Sequence, residues 1–157
     1  MMAIALQLTG CFMAAATFAM LFRTPPRLIA PASLAAVVGY ALSLWAGARI
    51  GAEWAGIFFG SLLSALIGEW LAIRLRAPAT IFLTVAVIPM VPGAGLYNTM
   101  LALVQNRYSD AAAAGSNTML AAGAIALGLS IAASIAYALR RSRGAGCAPG
   151  DRPVGEK

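Results

Sequence analysis

The stretch T-V-A-V-I-P-M-V-P-G-A-G-L-Y-N-T-M, residues 84–100, lies inside a long apolar run yet carries two prolines and two glycines at its centre. Pro89 and Pro92 have no backbone N–H, so the carbonyls of Val85 and Ile88 lose their helical donors. Gly93 and Gly95 let the backbone leave helical geometry at little steric cost. In water such a stretch is a turn between two elements. In a bilayer, unpaired backbone groups are not tolerated against lipid, so a break must face protein or line a polar cavity. Broken helices of this kind build substrate sites in transporters. A plain proline kink between packed helices uses the same residues, and the spacing alone leaves both readings open.

The surrounding composition decides which solvent applies. Of 157 residues 61% are hydrophobic and only 10% are charged, against roughly a quarter charged in a soluble domain. Mean hydropathy is +0.84. The chain is therefore an all-α integral membrane protein. Its net charge of +6 does not indicate nucleic acid, because the basic residues sit in short loops between apolar runs and in the tail, where they act as topology signals. There is no histidine, the acidic residues number five, and the two cysteines, Cys11 and Cys147, lie at opposite ends. No nucleophile–base pair, carboxylate pair or metal-ligand set can be assembled from these. The sequence predicts neither an enzyme nor a cofactor nor a metal site.

Five membrane spans follow, at about residues 3–22, 28–48, 54–73, 80–104 and 116–139, with a disordered cytoplasmic tail over 140–157. Twenty residues at about 1.5 Å each cover roughly 30 Å, the hydrocarbon thickness. Leu8-Thr9-Gly10-Cys11 has the form of a lipoprotein cleavage box, but no basic start precedes it, so a retained first span is expected. Pro92 stands twelve residues after Thr80, about 18 Å along an unbroken helix, which predicts a break near the midplane. Residues 105–115 are expected to be a polar loop, with Asn117 and Thr118 capping the last span.

Lys and Arg placement sets the orientation. Arg23, Arg27, Arg74, Arg76, Arg140, Arg141 and Arg143 fall on one side, and Arg49 and Arg107 on the other. The seven belong in the cytoplasm. With five spans, the N-terminus lies outside and the C-terminus inside, in a bacterial inner membrane. Three spans carry small residues every four positions: Ala35, Gly39, Ser43 and Gly47; Gly60, Ser64 and Gly68; Ala122, Ala126, Ser130 and Ser134. Such stripes admit close helix approach. Three of them on so small a bundle lead us to expect a second module, a larger chain or another copy, packed against them.

Glu69 is the only acidic residue inside a span. Intramembrane carboxylates often serve proton pathways, which makes Glu69 the proton-coupling candidate. It also stands about one turn from Arg74, where an interfacial anchoring role is the alternative. Tyr97 and Asn98 follow the break directly and offer a hydroxyl and an amide beside a half-helix N-terminus. The candidate substrate-binding set is Pro89, Pro92, Gly93, Gly95, Tyr97 and Asn98.

The run V-A-V-I-P-M-V-P-G-A-G-L-Y, residues 85–97, resembles the signature of the threonine/serine exporter family. F-A-M-L-F-R-T-P-P-R at 18–27 and A-E-W at 52–54 support it, in the same order and at suitable spacing. The chain is similar to the family's small, YjjB-like, C-terminal-type module, over about residues 18–139. That resemblance implies a subunit that works with a larger membrane subunit, in a family to which export of threonine and serine driven by the proton-motive force, and in a split member export of succinate, are ascribed. The functional expectation is a subunit of a secondary exporter for small polar carboxylates. The alternative is a membrane scaffold that stabilises a partner without touching solute, which would have no need of an opened helix.

Overall fold

The computed structural model describes residues 2–144, all of its regular structure helical. Helix α1 spans Met2–Leu21, α2 Pro26–Ile50 and α3 Glu53–Leu75. Helix α4 covers Ala79–Val87, one 3₁₀ turn follows at Ile88–Met90, α5 runs Gly93–Val104, and α6 runs Tyr108–Gly144. Four of these, α1, α2, α3 and α6, are long and apolar enough to cross a membrane. The remainder is a bent pair, α4 with its 3₁₀ turn and then α5, meeting at 46°; taken as one broken span it makes five.

The last helix begins eight residues earlier than the sequence suggested. Residues 111–114 are four alanines, the best helix formers, and Asp110 in the first turn complements the helix dipole. The expected polar loop shrinks to residues 105–107, turned by Asn106 at φ 58°, a left-handed conformation that asparagine tolerates. At the other end α6 continues to Gly144, so residues 140–144 are helical and not part of a disordered tail. Residues 145–157 of that expected tail lie outside the described residues.

The bundle is organised on the antiparallel pair α2 and α3. A Cβ on Gly39 would strike the Ser64 side chain and stand 2.7 Å from the Gly60 carbonyl oxygen. One on Gly60 would stand 2.6 Å from the Ser43 Cβ. The Ser64 hydroxyl donates to the Ala35 carbonyl at 3.3 Å across the pair. With no hydrophobic drive between helices in lipid, close backbone approach and such bonds hold them together. The first two small-residue stripes thus face each other inside one chain, and the expectation that they receive a second module is corrected. The third stripe, Ala122, Ala126, Ser130 and Ser134, is exposed; α6 instead buries Ala121, Ala124, Ile125, Ala132 and Ala136. Against α3, a Cβ on Gly128 would lie 3.1 Å from the Phe58 carbonyl oxygen.

On the other side of the pair, α1 and α4 close the core. Cys11, Ala15 and Ala19 of α1, Leu28 and Ala32 of α2, and the fully buried Phe82 of α4 form one cluster. Phe82 seats against Gly68 of α3, where a Cβ would come within 3.2 Å of its own.

Candidate functional site

The break is short and specific. Pro89 occupies the start of the 3₁₀ turn, where no donor is required of it. The Ile88 carbonyl, deprived of a helical donor by Pro92, accepts the Val91 N–H at 3.3 Å instead. Val91 is extended at φ −59° and ψ 127°, and Gly93 donates back to the Val91 carbonyl at 2.7 Å. Pro92 precedes α5 without a side-chain cap. Among the described residues no backbone acceptor outside the helix takes the Ala94 and Gly95 N–H groups, two of the orphan donors that every helix start leaves.

Beyond the break α5 leaves α4 and packs chiefly on α6. Gly95 lies against Thr118, whose hydroxyl a Cβ there would strike. Gly115 faces Thr99 in the same way, 3.3 Å from its methyl group.

Two cavities adjoin the break. The first, about 640 Å³, lies between it and the α2–α3 hairpin, with Tyr40, Ser43, Glu53, Pro89, Pro92 and Gly93 on its walls. The second, about 530 Å³, lies between α5 and α6 and is lined by Glu53, Pro92, Gly95, Asn98, Asn117 and Thr118. Gly51, Glu53, Pro92 and Ala94 border both, so the two form halves of one groove around the break. Each volume falls within the roughly 300–1,000 Å³ of small-molecule sites.

Five of the six expected substrate-binding residues, Pro89, Pro92, Gly93, Gly95 and Asn98, line this groove. Tyr97 lines neither cavity and is 66% exposed. Helical geometry explains the split: Asn98 stands about 300° around the axis from Gly95, near its face, whereas Tyr97 stands about 200° around, on the opposite one. Glu69 borders neither cavity; sixteen residues after Glu53 on α3, it is about 24 Å away along the axis. Its neighbour Trp70 carries the Arg74 guanidinium at 5.5 Å over the ring.

The cavity at the break reaches from Tyr40 and Ser43, near the middle of α2, to Gly51 and Glu53 at the α2–α3 turn.

Tyr40, Ser43, Glu53, Asn117 and Thr118 are groove residues that sequence reasoning did not select. Ser43 was hidden in a small-residue stripe and Glu53 in a short loop. Asn117 and Thr118 read as caps only while the last span began at residue 116. Placed ten residues into α6, a polar pair in an apolar helix is itself a signal.

Residues 7–135 match the family described as Threonine/Serine exporter, ThrE. The chain belongs to the threonine/serine exporter family. No solved structure matches it. The matched region runs from α1 into the last third of α6 and contains the break, both cavities and every groove residue named above. Family membership and the apolar helices make it a multi-pass membrane protein with an exporter-type transport role.

Proposed function

We propose that the chain is one subunit of a two-component secondary exporter for small polar carboxylates, threonine/serine-type amino acids or a dicarboxylate such as succinate, acting with a larger membrane subunit. The observation that carries this reading is the groove at the break, where orphan helix N–H groups and polar side chains surround a volume suited to a small solute. A half-helix start at such a place suits a carboxylate. The partnership rests on the resemblance of the chain to the family's small module, which works with a larger membrane subunit.

The test is export of serine, threonine and succinate from cells producing this chain alone, the larger family subunit alone, or both. Export is expected only with both. Full export by the larger subunit alone would move this chain to the scaffold role, and full export by purified monomeric chain would remove the partner.

The orientation we propose, in a bacterial inner membrane, places the N-terminus outside and the C-terminus in the cytoplasm. Arg23 and Arg27 stand at the end of the bundle that also holds Arg74 and Arg76, because α1 and α3 both end there and α2 and α4 both begin there. A reporter active only in the periplasm is expected to be silent when fused after Arg143 and active when inserted at residues 105–107. The opposite pattern inverts the topology.

A further inference from the structure

We infer that Glu53 is the specificity-determining residue of the groove: its carboxylate receives the ammonium group of an amino-acid substrate and turns away solutes that carry only negative charge. The inference rests on the exporter reading above and selects between the two substrate classes it allows.

Glu53 borders both cavities and, among the described residues, is the only charged side chain on the walls of either. The basic residue nearest in sequence, Arg49, lies over the Trp45 ring at 5.5 Å and borders neither cavity. Arg107 is engaged with Asp110 at 3.4 Å and with Gln105 at 2.7 Å. Among the described residues no ion pair is formed by Glu53 itself. Among the described residues the groove therefore has one fixed negative charge and no cation to neutralise a second carboxylate.

The neighbouring hydroxyls point to the same chemistry. Ser43 donates its proton to the Tyr40 carbonyl at 2.7 Å, and Thr118 donates its own to the Ala114 carbonyl at 2.7 Å. With those protons engaged in their own helices, both side chains have only acceptor capacity left for a ligand. An ammonium group has three donors and no acceptor, and a carboxylate the reverse. One carboxylate with two acceptor hydroxyls on the groove walls matches an ammonium group, and the Ala94 and Gly95 N–H groups remain for the substrate's own carboxylate.

The experiment uses inside-out vesicles containing this chain and the larger subunit, with labelled L-serine as the probe. L-Threoninol, which keeps the ammonium and lacks the carboxylate, is expected to compete. 2,3-Dihydroxybutyrate, which keeps the carboxylate and lacks the ammonium, is expected not to. Glu53→Gln is expected to raise KM for serine roughly 10–100-fold, the effect of losing a charge-assisted hydrogen bond, with kcat little changed and Glu53→Asp restoring part of the affinity. A general folding defect would instead lower the amount of inserted protein and the maximal rate. Competition by the hydroxy acid equal to that by threoninol, or an unchanged KM in Glu53→Gln, overturns the assignment and leaves the exporter reading standing. Wild-type vesicles that move neither serine, threonine nor succinate overturn both.

Discussion

A chain carrying Pro89→Ala, Pro92→Ala and Gly93→Ala together is expected to insert and to export nothing. Each proline inside a helix costs about 3 kcal/mol and a glycine about 1 kcal/mol relative to alanine, so the triple substitution favours one continuous helix by several kcal/mol. Space does not oppose it, since a Cβ on Gly93 meets nothing within 4 Å. Straightening removes the 46° bend that directs α5 onto α6 and separates Gly95 from Thr118, opening one wall of the groove. It also supplies helical acceptors to the Ala94 and Gly95 N–H groups, removing the donors a carboxylate would use. Export by cells producing the triple variant and the larger subunit, normalised to the amount inserted, is the measurement. Transport at the wild-type rate would falsify the binding role and leave Pro89 and Pro92 as a packing kink.

The second large effect is structural. Gly39→Leu and Gly60→Leu are each expected to lower stability by about 3 kcal/mol or more, the upper range for overpacking. The first new carbon already overlaps the Ser64 side chain in one case and stands 2.6 Å from the Ser43 Cβ in the other. Much of what opposes it is backbone of the facing helix, which cannot rotate aside. Both variants should show a lowered thermal midpoint and poor recovery as a single species in detergent, with or without a partner. Gly123→Leu on α6 is the control, because a Cβ there meets nothing within 4 Å, and it should behave as wild type. Gly39→Leu and Gly60→Leu chains that keep the wild-type midpoint and lose only a partner would return these stripes to an intermolecular role.

Glu53 shows why the groove was only half legible from sequence. Pro89, Pro92 and Gly93 announce themselves, because a missing N–H and a missing Cβ are properties of the residue and act on its own stretch of chain. A glutamate two residues after Gly51 carries no such mark. It becomes a groove residue only because the chain through the break reaches the α2–α3 turn. Thr118 likewise acquires a role only once α5 folds back onto α6.

The sequence by itself determined the solvent, the class and the place of the break. Hydropathy over some twenty residues is a sum along the chain, and helix-breaking chemistry is local, so neither needs a partner to be read. Tertiary structure alone decided which faces meet. Two of three equally spaced small-residue stripes are used inside the bundle and the third is exposed, because spacing describes one helix whereas close approach is a property of two. The same holds for Asn98, which lines the groove, and Tyr97, which does not: periodicity sets the angle between neighbours, and only the packing of α5 on α6 sets which of them borders the groove.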